Sequence, residues 1–220
     1  MPPVPRPYPR FIADSPQEGK PYGRWEGRLR DEFTTASSAH TDEAGAPLDP
    51  ETLKWFPERT WGGRVYVPAT GRASEAAEAK DGSGDEGAGL DVEYFGWVAF
   101  ERPDDGEPSG LSASADFTDV TAEDNPDWKI DLSDDVIGAW RAEGDRGGDI
   151  TLVWGLPLVR GAVAATAELD GEVIDQAAVT DGRFTLVAVD AVRGFGDDMY
   201  LEIKLWDRTL RQIAAESLYA

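Results

Sequence analysis

Apolar positions recur with helical spacing near the start of the chain and with strand spacing through most of its second half. Trp25, Leu29 and Phe33 stand four residues apart within residues 22–39. That spacing puts all three on one face of a helix, with Arg24, Glu26, Arg28, Arg30, Asp31 and Glu32 decorating the rest. Residues 49–56 predict a short second helix. Asp49 would cap it, Pro50 would take its first position and Pro57 would stop it. Residues 63–67 read as a strand.

From Asp91 onward the pattern is that of strands. Val92, Tyr94, Phe95, Trp97, Val98 and Phe100 form an aromatic and β-branched run, and residues 111–121 alternate weakly. Trp128, Ile130 and Leu132 alternate with Lys129 and Asp131. Ser133 could cap a helix over residues 136–141, but Val136, Ile137, Gly138 and Trp140 are poor helix formers and favour a strand. Residues 150–158 and 161–169 follow, then Asp170-Gly171, residues 172–179, Asp181-Gly182 and residues 183–189. Asp-Gly between such runs is a hairpin-turn signal. Leu201, Ile203 and Leu205 face one way, Glu202 and Lys204 the other, and residues 213–219 make a last strand. Strands joined by Gly, Asp and Pro turns, without helical patterns between them, indicate a mainly β protein. The expected fold is an antiparallel β-sandwich with an N-terminal helical and Pro-rich extension. Residues 149–219 are broadly immunoglobulin-like in rhythm, an architectural analogy that leaves function open.

Pro2, Pro3, Pro5, Pro7 and Pro9 favour an extended arm over residues 1–20. The expected organisation continues with a helical module at 21–70 packing on the sandwich. A Gly-, Ala- and acid-rich segment at 71–90 follows, then the sandwich at 91–220. Residues 71–90 fit a linker between domains, and equally a long insertion between two strands of one sheet.

Charge narrows the partners. The 220 residues carry a net charge of -22, and residues 73–220 account for all of it, with 33 acids against 11 bases. Such a surface repels phosphate backbones and anionic lipid, so neither nucleic acid nor a membrane is an expected partner. A basic protein is. Scarce Lys and abundant Arg and Asp fit either a saline habitat or a GC-rich genome. There is no Cys, which removes disulfides, thiolate metal sites and cysteine nucleophiles. No apolar run is long enough to span a bilayer, and the first residues lack a signal-peptide core, so a cytoplasmic location is expected.

Catalytic signatures are missing. His40, the one histidine, follows a Ser/Thr/Ala tail that reads as a helix end. No nucleophile elbow, phosphate-binding loop or dinucleotide fingerprint occurs. Residues 81–92 only superficially resemble a calcium loop, with Glu86 and Val92 where the EF-hand needs Gly and Glu. Acid pairs at Asp104/Asp105, Asp124/Asp127, Asp134/Asp135 and Asp197/Asp198 read as charged loops, with calcium the alternative. Neither a cofactor nor a metal is expected. Glu93 and Glu101, on the aromatic strand with Trp97, are the candidate carboxylate pair for glycoside chemistry. Trp97, Trp128, Trp140, Trp154 and Trp206, all on expected strands, are candidate sugar-stacking residues, Trp97 and Trp140 first among them, against a core role for most of the eight Trp. The function expected first is a non-catalytic protein-interaction or accessory subunit. Carbohydrate binding or carboxylate-based hydrolysis is the alternative.

Overall fold

The computed structural model describes residues 25–74, 92–102, 107–141, 147–189 and 201–218. The Pro-rich arm, most of the 71–90 segment, Asp104, Asp105 and residues 194–198 lie outside them. The protein is mainly β, with antiparallel sheets, and divides into two compact units between Pro126 and Asp127.

The first unit holds helices α1 (Glu26–Ser38) and α2 (Thr41–Ala44) and strands β1 (Lys54–Trp55), β2 (Arg59–Trp61), β3 (Arg64–Arg72), β4 (Glu93–Glu101) and β5 (Ser109–Thr118). The sheet runs β1-β3-β4-β5, with β2 also on β3. The four-residue spacing acts as its period requires. Trp25, Leu29 and Phe33 are buried in one cluster with Val65, Val67, Ala69, Tyr94, Val98 and Phe100. Trp25 meets Phe100 edge-on with centroids 5.9 Å apart, and Phe33 meets Trp55 at 6.3 Å. Each such aromatic pair adds about 0.5–1.5 kcal/mol beyond area burial.

Two expectations change here. The second helix is reduced to a 3-10 turn at Pro50–Thr52, which Asp49 does cap by accepting from Glu51 N–H at 3.0 Å. Lys54 and Trp55 are instead strand, paired with Thr70 and Ala69, and this places Trp55 in the core. Tertiary pairing outweighs the local helix signal. The second change concerns β4 and β5, which were expected with the sandwich at 91–220. They extend the first unit's sheet: Tyr94, Val98 and Phe100 lie opposite Gly71, Val67 and Val65, completing the face that α1 covers. Residues 73–92 therefore join two neighbouring strands of one sheet. The other face is apolar too, with Phe56, Tyr66 and Ala99 buried.

The second unit contains β6 (Ile130–Arg141), β7 (Gly147–Pro157), β8 (Ala164–Leu169), β9 (Glu172–Ala178), β10 (Phe184–Val189), β11 (Leu201–Trp206) and β12 (Gln212–Ser217). One sheet runs β6-β7-β10 and the other β9-β8-β11-β12. Ile130, Val153, Phe184 and Leu186 from the first meet Ala165, Ala167, Leu201, Ile203 and Leu205 from the second in one core, so this unit is a sandwich. Asp170-Gly171 is the expected hairpin turn between β8 and β9, whereas Asp181-Gly182 makes a tight turn closed by Thr180 and Arg183 that carries the chain from β9 in one sheet to β10 in the other; all four residues have positive φ. Asp175 on β9 reaches across to the edge strand β10, where its carboxylate accepts from Val187 N–H at 2.7 Å. An edge amide held this way is closed to a further strand.

At Gly96 the backbone of β5 leaves no room for a side chain. A Cβ built there would lie 2.1 Å from the Ser114 carbonyl oxygen. Gly27, within α1, has nothing within 4 Å. Gly96→Ala is expected to destabilise by about 2–3 kcal/mol, and Gly27→Ala to stabilise by about 0.5–1 kcal/mol. Urea denaturation of both variants checks the opposite signs.

Candidate functional site

The four sequence candidates fall in two units. Glu93, Trp97 and Glu101 share one face of β4, the face turned away from α1, while Trp140 lies on β6 in the sandwich. Glu93 and Glu101 are eight positions apart on an extended strand, which separates them by about 26 Å. A glycosidase pair needs roughly 5–10 Å, so these two carboxylates do not work as one. Trp97 is half-buried, its ring set edge-on to Tyr66 at 5.3 Å and 70°. Trp25, Trp55 and Trp154 are buried, Trp128, Trp140 and Trp206 half-buried, and Trp61 alone is exposed, beside the β2–β3 turn. No open row of indoles forms a sugar platform.

His40 sits between α1 and α2, its ring 6.1 Å from that of Phe117. Among the described residues, neither a serine nor a carboxylate bonds that ring, and no group of three acids or His is spaced to hold a metal ion. No helix among them is long and apolar enough to cross a membrane.

Two polar constellations missed by sequence reasoning are better defined. One lies on the outward face of β8 and β11. Glu168 is 3% exposed, yet ionisable. Lys204 pairs with it and, at 2.9 Å, with Glu202. Thr166 Oγ1 donates to Glu168 at 3.3 Å and accepts from Trp206 Nε1 at 2.9 Å. Burial works against the ammonium, but the hydrogen bonds and charges of Glu168 and Glu202 outweigh it and raise Lys204 above its ordinary value. The network's five groups satisfy one another, so its role is structural.

The other is the β11–β12 turn. Asp207 accepts from Thr209 N–H at 2.8 Å, Thr209 Oγ1 at 2.6 Å, Arg211 N–H at 3.0 Å and Arg211 Nε at 3.2 Å. The Thr209 hydroxyl, first among these donors, and the Arg211 amide lower its carboxyl to about 2. The turn holds Leu210 at φ 59° and 39% exposed. A left-handed conformation costs a branched residue about 1–2 kcal/mol, and water contact offsets none of it. Asp207 and Arg211 are i, i+4 in sequence, a signal that could have been read.

Compared with known proteins, the chain matches no protein family, no curated protein and no solved structure.

Lys204→Met leaves Glu168 buried without a cation and is expected to cost about 3 kcal/mol. Glu202→Ala removes a half-exposed partner and is expected to cost under about 1 kcal/mol; urea melts separate them. Asp207 has its folded value depressed, so its contribution is complete above its ordinary value of 3.8 and lost as pH falls towards 2. The stability gap between wild type and Asp207→Asn should therefore narrow between pH 5 and 2, read from denaturation curves at stepped pH.

Proposed function

We propose that the chain is a non-catalytic interaction subunit that accepts an extended segment of another protein along β5. The observation that carries this is the strand's position. β5 is ten residues long and ends its sheet, and among the described residues no strand lies beyond it. Its side chains are mostly small: Ser109, Gly110, Ser112, Ala113, Ser114 and Ala115. Such an edge is a template for an added strand, with main-chain hydrogen bonds supplying affinity. Pro, Lys and an inward charge, the usual blocks on an edge, are absent from residues 109–115. Beyond them the Asp116 carboxylate takes the Phe117 amide at 2.8 Å.

Charge selects the occupant. Asp116, Asp119 and Asp124 are exposed at one end of β5 and just after it. A segment carrying Lys or Arg there would be steered in and held in register. The scattered catalytic candidates support a binding role over an enzymatic one.

Ala115 shares the edge orientation of Phe117, since amides alternate along a strand. Ala115→Pro removes one outward donor; because Ala115 is also partly buried against the core beneath α1, Ala115→Gly, which keeps the amide, is the control for lost packing. Affinity capture from native lysate should recover a basic partner with wild type and with Ala115→Gly at low salt, lose most of it at high salt, and recover none with Ala115→Pro. Equal capture by the variant would sink the proposal.

A further inference from the structure

The outward side of the β6-β7-β10 sheet is apolar and buried. Alternation along β7 and β10 turns Val153, Phe184, Leu186 and Ala188 towards the sandwich core. It turns Ile150, Leu152, Trp154, Thr185 and Val187 the other way, and none of these five is more than 8% exposed. The unit's second sheet lies on the core side. Among the described residues of this unit no helix or strand lies across the outward side. Water is kept from it by a cover that these elements do not supply.

The face also has a defined chemistry. Ser133, Trp154 and Thr185 stand side by side across the three strands, an indole between two hydroxyls. Leu152 and Val187 make the neighbouring row. Thr185 is 1% exposed, and its Oγ1 has no hydrogen-bond partner among the described residues. A hydroxyl buried in an apolar layer calls for an acceptor, and here the cover must bring it. A polyproline helix makes no internal hydrogen bonds, so its carbonyls are available, and its rings pack on aromatic surfaces. The chain holds such a segment in residues 2–12, Pro-Pro-Val-Pro-Arg-Pro-Tyr-Pro-Arg-Phe-Ile. Residues 1–15 belong to the same compact unit as the sandwich, although residues 16–126 intervene in sequence.

We propose that residues 2–12 lie across the outward side of β6-β7-β10 as its cover, with the Thr185 hydroxyl donating to a carbonyl of the arm. The length suffices. Residues 2–9 extend about 25 Å as a polyproline helix, and the strip from Ile150 to Trp154 is about 13 Å long. The sign of charge suits as well. Arg6 and Arg10 precede the first acid, Asp14, while residues 127–220 carry eighteen acids and nine bases, so the field of the sandwich draws the arm in. Proline fixes φ before docking, which lowers the cost of ordering the segment. Tethering sets its effective concentration on the order of millimolar, so a Pro-rich segment of another protein meets an occupied site. The face belongs to the sandwich and is independent of the β5 edge in the other unit.

A chain without Cys accepts a single spin label, which gives the test. Val4→Cys carrying a nitroxide, in the full chain, should broaden the amide signals of residues 150–154 and 185–187 most strongly, and those of β8 and β11 behind them less. Replacing Pro3, Pro5, Pro7 and Pro9 by Ser in the labelled chain should abolish that pattern. A synthetic peptide of residues 1–15 should then shift the same amides of the unlabelled Ser variant, with an apparent affinity at least roughly tenfold tighter than for wild type, whose own arm competes. Adding Thr185→Val to the Ser variant should weaken the peptide several-fold with the melting temperature unchanged or raised. Broadening elsewhere or nowhere overturns the proposal, as does a peptide that binds both proteins equally or neither. Broadening of isotope-labelled chains by nitroxide-carrying copies in a mixture would make the cover a second molecule's arm and overturn it too. Unchanged peptide affinity in Thr185→Val overturns the part given to that hydroxyl.

Discussion

Apolar side chains on a pleated sheet leave water only when a second layer lies across them, and both units are organised around that requirement. In the first unit one thirteen-residue helix is the layer, held by Trp25, Leu29 and Phe33. In the second unit the layer is another sheet, and small residues on β8 set its closeness: Ala165 and Ala167 leave room for Phe184 and Leu186 opposite. Gly155 does the same within its own sheet, since a Cβ there would lie 2.9 Å from the Phe184 ring. The bulky residues therefore sit where the facing strand is thin.

Carboxylates in this chain do more than add charge. Asp49 caps a turn, Asp207 folds one, Asp175 closes the edge of β10, and Glu168 is buried beneath Lys204. Each accepts from a defined donor, so part of the acid excess is spent on backbone geometry that Gly, Asn or water would otherwise supply.

Local signals were legible and long-range ones were not. Helix α1 followed from three aromatic and aliphatic positions, and the two tight turns followed from Asp-Gly, because both depend on neighbours in sequence; that the second turn changes sheets instead of closing a hairpin did not. The membership of β4 was hidden, because its partner β3 lies across a segment that reads as a linker. The helix expected at residues 49–56 failed for the same reason: Trp55 is claimed by Ala69. Among the candidate sites, the shared face of Glu93 and Glu101 was legible, and their spacing already made them distant. The Glu168–Lys204 pair was illegible, since the two are brought together only by the register of β8 against β11.

The order of strands in the sandwich governs how it can fold. β7 needs β10 and β8 needs β11, so each central strand waits for a partner roughly thirty residues further along. The early hairpins β6–β7 and β8–β9 can form locally, but neither closes a core until the last third of the unit arrives. Such connectivity delays the reward for loop closure and makes acquisition of structure slow and all-or-none. A chain cut short before β11 would carry β8 with one side unpaired, an open invitation to aggregate.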